Sequence, residues 1–153
     1  MDKRTELKEA LKTALKEKNQ IAMSTIRLIT AAIKDRDIEA RSKGNNDGIS
    51  DQEILSLLQS MIKQRQESSK TYADAGRPEL AEREDKEIEV IKSFLPKQLD
   101  ESEVVGAIDS LVTEVGANDI RDMGKVMAEL KARYAGQIDM GKASNLVKQR
   151  LAS

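Results

Sequence analysis

The sequence of 153 residues lacks cysteine, histidine and tryptophan, and its only aromatic residues are Tyr72, Phe94 and Tyr134. The lack of cysteine excludes disulfides, thiolate metal sites and a cysteine nucleophile. The lack of histidine removes the commonest general base and the commonest metal ligand. We therefore expect no catalytic residue, no metal site and no cofactor. The core must be built from aliphatic side chains.

Long hydrophobic runs are also missing. The first 18 residues, MDKRTELKEALKTALKEK, interrupt their apolar residues with charge every two or three positions. Such a segment is neither a secretion signal nor a membrane span. We expect a soluble cytoplasmic protein without a membrane partner.

Apolar residues recur at helical spacing along nearly the whole chain, and no run alternates long enough to predict a strand. The sequence therefore predicts an all-α fold. A turn is expected at the glycines and asparagines of residues 43–48. The apolar stripes of the first four predicted helices include Leu7, Leu11 and Leu15; Ile26, Ile29 and Ile33, with Leu28 alongside; Ile54, Leu58 and Met61; and Leu80, Ile88, Ile91 and Leu95.

Two Ser/Asp and Glu pairs indicate where helices begin. Ser50 with Glu53, and Asp100 with Glu103, have the spacing of a capping box. Pro96 ends the fourth predicted helix just before the second of these pairs. We expect an N-terminal domain of about four helices at residues 1–95, a hinge at 96–99, and a small three-helix bundle at 100–153.

Charge is divided unevenly, although the formal net charge is only −1. Residues 78–119 contain 12 acidic and 4 basic residues, whereas residues 121–153 contain 3 acidic and 7 basic residues. A basic tail that follows an acidic segment is typical of a polyanion-binding end whose positive charge is partly screened by the neighbouring acidic residues. Solvated helix faces are the alternative interpretation.

The basic tail, DMGKVMAELKARYAGQIDMGKASNLVKQRL, resembles the closing domain of the B subunit of tRNA-dependent amidotransferases. The preceding stretch, IKQRQESSKTYADAGRPELAEREDKEIEVIKSFLPKQL, is similar to the stand-alone YqeY-like family. This second resemblance depends on Tyr72, Gly76, Arg77, Glu84, Glu87, Ile88, Leu95 and Pro96. Together the two resemblances cover nearly the whole chain, but the kinase-like catalytic portion of the B subunit is missing.

The resemblance implies a role for the tail, because the corresponding domain of the amidotransferase is associated with the outer body of tRNA. The amide chemistry of that assembly, a carbon–nitrogen ligation with glutamine as amido-N donor, lies in a different subunit. We therefore expect a tRNA-binding accessory module that has no activity alone and joins a larger amidotransferase or synthetase complex. A helical protein–protein adaptor is the alternative, with the acidic fourth helix facing a basic partner.

The basic residues of the tail are the candidate nucleic-acid contacts, because they leave the apolar stripes of the last two helices free. They are Lys125, Lys131, Arg133, Lys142, Lys148 and Arg150.

The tetrapeptide DMGK occurs twice in the tail, at residues 122–125 and 139–142. A glycine and a lysine at a helix start can hold a phosphate. We expect instead that Asp122 and Asp139 cap their helices and already occupy the first amides. Gly124 and Gly141 would then permit close approach of a helix or RNA, with the two lysines reaching outward.

Residues 65–87 contain three further candidates. Ser68, Ser69 and Lys70 suggest a serine–lysine amidase, but neighbouring helical residues point about 100° apart and cannot converge. Glu84 and Glu87 suggest a cation site, for which a solvated face paired with Arg83 and Lys86 is the favoured alternative. Arg65 lies near an apolar stripe, so we expect it to pair with Glu84 or Glu87.

Overall fold

The computed structural model describes residues 1–152, which form seven α-helices and one short 3-10 helix. No strand occurs among these residues, so the all-α prediction is confirmed. The helices are α1 (Lys3–Glu17), α2 (Gln20–Ser42), α3 (Asp51–Asp74), α4 (Pro78–Lys92), α5 (Glu101–Val115), α6 (Met123–Arg133) and α7 (Met140–Ala152). None of the described helices is both long enough and apolar enough to span a bilayer.

The chain divides into two compact units, the first Met1–Leu95 and the second beginning at Pro96. Helices α1 to α4 form the first unit, and α5 to α7 with the 3-10 helix form the second. Within the second unit each of the three α-helices packs against the other two. That residues 1–95 and 100–153 are separate domains joined by a hinge at 96–99 stays a prediction.

Helices α1, α2 and α3 each begin after a residue whose side chain caps the helix. Asp2, Asn19 and Ser50 each accept a hydrogen bond from a first-turn amide, and Ser50 and Glu53 form the expected capping box. Pro78 occupies the first turn of α4, where its missing N–H costs nothing. That helix ends at Lys92, so the prediction that it continues through Leu95 to Pro96 is wrong.

The core of the first unit is aliphatic except for Phe94. The predicted stripe of α1 is wrong at its last position, because Leu15 is 48% exposed and Ala14 is buried. Seven residues make nearly two full helical turns, so Ala14 lies almost in line with Leu7, whereas Leu15 is rotated about 100° further. Leu28 is likewise exposed beside the buried stripe of α2.

The loop before α3 is held to α1 and α2 by one ion-pair network. The Arg4 guanidinium donates to the two Asp37 carboxylate oxygens at 2.8 and 2.9 Å and to the Ile49 carbonyl at 3.1 Å. The Ile49 N–H also donates to Asp37, at 2.8 Å. Gly48 has φ +85°, and a Cβ there would lie 2.8 Å from the Asp37 carboxylate. This turn therefore requires glycine.

The capping box predicted for the second unit is also present, between Asp100 and Glu103 at the start of α5. The C-terminal end of the predicted hinge is hydrogen-bonded to this unit. The Leu99 N–H donates to the Gln137 carbonyl at 3.0 Å, and the Gln98 amide donates to the Gly136 carbonyl at 2.6 Å. The second unit thus begins before Asp100.

The Arg4–Asp37 pair should make stability depend on acid pH. The Arg4 hydrogen bonds, with the Ile49 N–H, lower the pKa of Asp37 from 3.8 to about 2. A carboxyl whose pKa is depressed by folding stabilises the protein above its unfolded pKa and loses that effect as pH falls through its folded pKa. We expect Asp37→Asn to cost about 1–2 kcal/mol of unfolding free energy at neutral pH, after allowance for solvent screening.

Urea unfolding followed by circular dichroism between about pH 5 and pH 2 would measure this effect. The difference between the unmodified chain and Asp37→Asn should shrink as the pH falls. Asp35→Asn is the matched control, because Asp35 is exposed on the same helix and has no ion-pair partner among the described residues. An Asp37→Asn difference that stays constant across this pH range would contradict the account.

Candidate nucleic-acid interface

The first DMGK tetrapeptide does not lie at a free helix N-terminus. The Asp122 carboxylate accepts from the N–H groups of Asn118 at 2.9 Å and Asp119 at 3.5 Å, and makes no cap with α6. The 3-10 helix, Ile120–Asp122, runs directly into α6, so the Met123 N–H already donates to the Ile120 carbonyl. The prediction that Asp122 caps α6 is therefore wrong.

The second DMGK tetrapeptide does begin a helix. The Asp139 carboxylate accepts from the N–H groups of Gly141 at 2.9 Å and Lys142 at 3.3 Å. This cap, which the sequence predicted, puts a negative charge where an incoming phosphate would have to bind. In neither copy, therefore, are the first amides of the helix free to form a phosphate nest.

The two DMGK glycines do not mediate helix packing. A Cβ added at Gly124 would meet no atom within 4 Å, and one at Gly141 would meet only the Asp139 carboxylate, at 3.2 Å. The expectation of close helix–helix approach at these glycines is wrong, because both are exposed. Close approach of RNA at the same positions stays a prediction.

The two tail arginines are held by carboxylates. The Arg133 guanidinium donates to both Glu114 oxygens at 2.8 Å and to Glu129 at 3.2 Å. These bonds raise the pKa of Arg133 above its usual value, and the pKa of Glu114 is lowered by the same pair. Arg150 donates to Asp109 at 3.0 Å. Arg133 therefore links α6 to α5, and Arg150 links α7 to α5.

The tail lysines form a second group. Lys125 and Lys142 lie in the first turns of α6 and α7, and Lys148 lies further along α7. All three are exposed, and across residues 1–152 no acidic partner is found for their ammonium groups. Lys131 is exposed but engaged within the chain. Of the six predicted contacts, these three lysines are the ones available to an external anion.

Another polar cluster lies between α3 and α4, around a buried ion pair. Arg65 donates to Glu87 at 3.0 Å, and their side chains are only 14% and 10% exposed. The predicted partnership of Arg65 is therefore confirmed for Glu87. The interpretation of Glu87 as part of a solvated face is wrong, because Glu87 is buried against Arg65 with Arg83 3.5 Å away. Lys86 pairs with Glu82 instead.

This ion pair forms part of a groove of about 680 Å³. The groove is lined by Gln64, Arg65, Glu67, Ser68, Thr71, Tyr72, Glu84 and Glu87. Burial, followed by the charge of Glu87, raises the pKa of Glu84. Ser69 differs from Ser68, because its hydroxyl donates to Asp85 at 2.7 Å instead of lining the groove. No group of three or more carboxylates in the described chain is arranged to hold a metal ion.

Comparison with known proteins identifies the family. The Yqey-like protein family matches residues 4–151. The chain belongs to this family. The YqeY-like chain is also similar to curated yeast proteins named "Altered inheritance of mitochondria protein 41, mitochondrial". The relative from Clavispora lusitaniae is 30% identical over 96% of this chain and 84% of its own length.

Two further relatives of the YqeY-like chain carry the same name. The protein from Lachancea thermotolerans is 31% identical over 75% of this chain and 60% of its own length. The protein from Candida glabrata is 34% identical over 58% of this chain and 47% of its own length. The name places these relatives in mitochondria, and a cytoplasmic location for the YqeY-like chain stays a prediction.

The Arg65–Glu87 pair should be strongly coupled in stability. Removing one member leaves a largely buried charge uncompensated, so Arg65→Met or Glu87→Leu alone should cost about 3 kcal/mol of unfolding free energy. The double variant should cost clearly less than the two single variants together, because it leaves no orphaned charge.

A double-mutant cycle by urea unfolding would measure the coupling energy, which we expect to exceed about 1 kcal/mol. Lys86→Met with Glu82→Leu is the matched control, since that pair lies exposed on the same helix at 3.2 Å. Its coupling should be about 0.5 kcal/mol or less. Equal coupling in the two cycles would show that burial does not strengthen the Arg65–Glu87 pair.

Proposed function

We propose that this YqeY-like protein binds tRNA through its second unit and is an accessory module of a larger glutamine-dependent amidotransferase or synthetase assembly. The observation that carries the proposal is the exposure of Lys125, Lys142 and Lys148 on α6 and α7 without an acidic partner among the described residues. The resemblance of this tail to the tRNA-binding end of the amidotransferase B subunit supports it.

Lysine ammonium groups suit the backbone of a folded RNA. Each behaves as a compact point charge that binds phosphate without reading sequence. Phosphate contact releases condensed counterions, which supplies most of the sequence-independent affinity. The three lysines therefore favour recognition of a nucleic acid by charge and shape.

The scarcity of aromatic residues favours a duplex surface over a single strand. Single-strand binding relies on aromatic side chains that stack on bases. In the second unit the only aromatic residue is Tyr134, which is partly buried against the core. Double-stranded RNA is instead recognised through phosphates and 2′-hydroxyls, as the outer body of tRNA would be.

Catalysis would belong to a partner subunit in this proposal. The chain contains no cysteine or histidine and no glycine-rich phosphate loop, so amide transfer would need a nucleophile and a nucleotide site from elsewhere. The ligase class that the resemblance implies is thus assigned to the assembly. The YqeY-like chain contributes RNA binding.

Neutralising the three lysines should weaken tRNA binding, because the electrostatic contacts to phosphate are lost. Lys125→Ala, Lys142→Ala and Lys148→Ala together should reduce the slope of log affinity against log salt by about three units, since each phosphate contact contributes about one. A fluorescence titration of tRNA at several salt concentrations would measure this slope.

The charge-matched control replaces Lys8, Lys16 and Lys34, which are exposed in the first unit and have no ion-pair partner in the described structure. This control should bind tRNA as the unmodified chain does. An unchanged slope in the tail variant would remove the lysines from the interface. No RNA binding together with a specific protein partner would favour the helical adaptor.

A further inference from the structure

The groove between α3 and α4 has polar walls with unused hydrogen-bonding capacity. Gln64, Ser68 and Tyr72 are spaced four residues apart on α3, so their side chains lie along one face of the helix. Within residues 1–152 these three side chains make no hydrogen bond to another residue. The α3 wall therefore offers an amide, a hydroxyl and a phenol to a ligand.

The opposite wall carries a carboxylate without a partner. Glu84 is half-buried on α4, and the described residues provide it with neither an ion pair nor a hydrogen bond. Its neighbour Glu87 is already engaged by Arg65 and Arg83. A carboxylate held partly out of water gains most from an incoming positive charge that also donates hydrogen bonds.

The charge of the groove points to a cationic ligand. Its lining contains one basic residue, Arg65, and three acidic residues, Glu67, Glu84 and Glu87. Arg65 is committed to Glu87 and to the Met61 carbonyl, at 3.0 and 3.2 Å. Glu67 and Glu84 therefore leave the groove negative.

A guanidinium fits these groups better than an ammonium does. It is planar, donates two parallel hydrogen bonds to one carboxylate and stacks on an aromatic face. Glu84 supplies the carboxylate and Tyr72 the aromatic ring. The oxygens of Gln64 and Ser68 can accept the remaining guanidinium hydrogens.

The openness of the groove indicates a side chain from another protein. Small-molecule sites are mostly enclosed and apolar, whereas Gln64, Glu67 and Thr71 on this wall are exposed. Arginine is enriched at protein interfaces and is a frequent anchor residue. We propose that the α3–α4 groove binds an arginine side chain of a partner protein.

Titration with a blocked arginine, N-acetyl-arginine N-methylamide, followed by amide chemical shifts of the full chain, would test this proposal. Saturable shifts should be confined to α3 and α4 around Glu84. The matched probe is blocked citrulline, which has the same shape but no charge. It should bind about tenfold more weakly or worse, because it lacks the charge-assisted bonds.

Two variants assign the effect to the groove. Glu84→Gln should weaken binding of blocked arginine by about tenfold or more. Glu82→Gln should leave it unchanged, since Glu82 is exposed on the same helix and does not line the groove. Dispersed amide spectra would show that both variants are folded.

Three results would overturn the proposal. One is equal binding of blocked arginine and blocked citrulline. Another is full affinity in Glu84→Gln. The third is a set of saturable shifts centred on residues outside α3 and α4. None of these outcomes depends on whether the second unit binds tRNA.

Discussion

The ion pairs between the carboxylates of α5 and the arginines of α6 and α7 determine which positive charges the second unit offers. Helix α5 contains four acidic residues and no basic one. Glu114 holds Arg133 and Asp109 holds Arg150. A folded chain with a net charge near zero can therefore still present Lys125, Lys142 and Lys148 to a polyanion, because Glu114 and Asp109 are engaged by the arginines.

The architecture was largely predictable because its determinants are local. Apolar residues at helical spacing and the capping boxes at Ser50 and Asp100 lie within a few residues of the structure they specify. The error at Leu15 has the same origin. A residue seven positions after Leu7 lies on the same buried side of the helix, whereas Leu15, eight positions after it, is rotated out of that line. With almost no aromatic residues, small side chains such as Ala14 take core positions that simple hydrophobicity assigns elsewhere.

The candidate sites were less predictable for two reasons. Some depend on contacts between residues that are distant in sequence, and others depend on the structure of the segment that precedes a motif. The same letters, DMGK, cap a helix at Asp139 and continue a 3-10 helix at Asp122. The partner of Arg65 was predicted as Glu84 or Glu87, but only the packing of α3 on α4 selects Glu87 and leaves Glu84 unpaired in the groove. Glu129 lies four residues from both Lys125 and Arg133, and the structure pairs it with Arg133. The other partner of Arg133, Glu114, is distant in sequence and lies on α5.

In the proposed complex, three lysines of the second unit face bound tRNA. Lysine acetylation followed by mass spectrometry, with and without tRNA, tests it most directly because the rate is read at each ammonium group of the unmodified chain. We predict that tRNA slows acetylation of Lys125, Lys142 and Lys148 while Lys8 and Lys34 of the first unit react as before. Unchanged rates at all three tail lysines with tRNA bound, or protection confined to the first unit, would contradict the account.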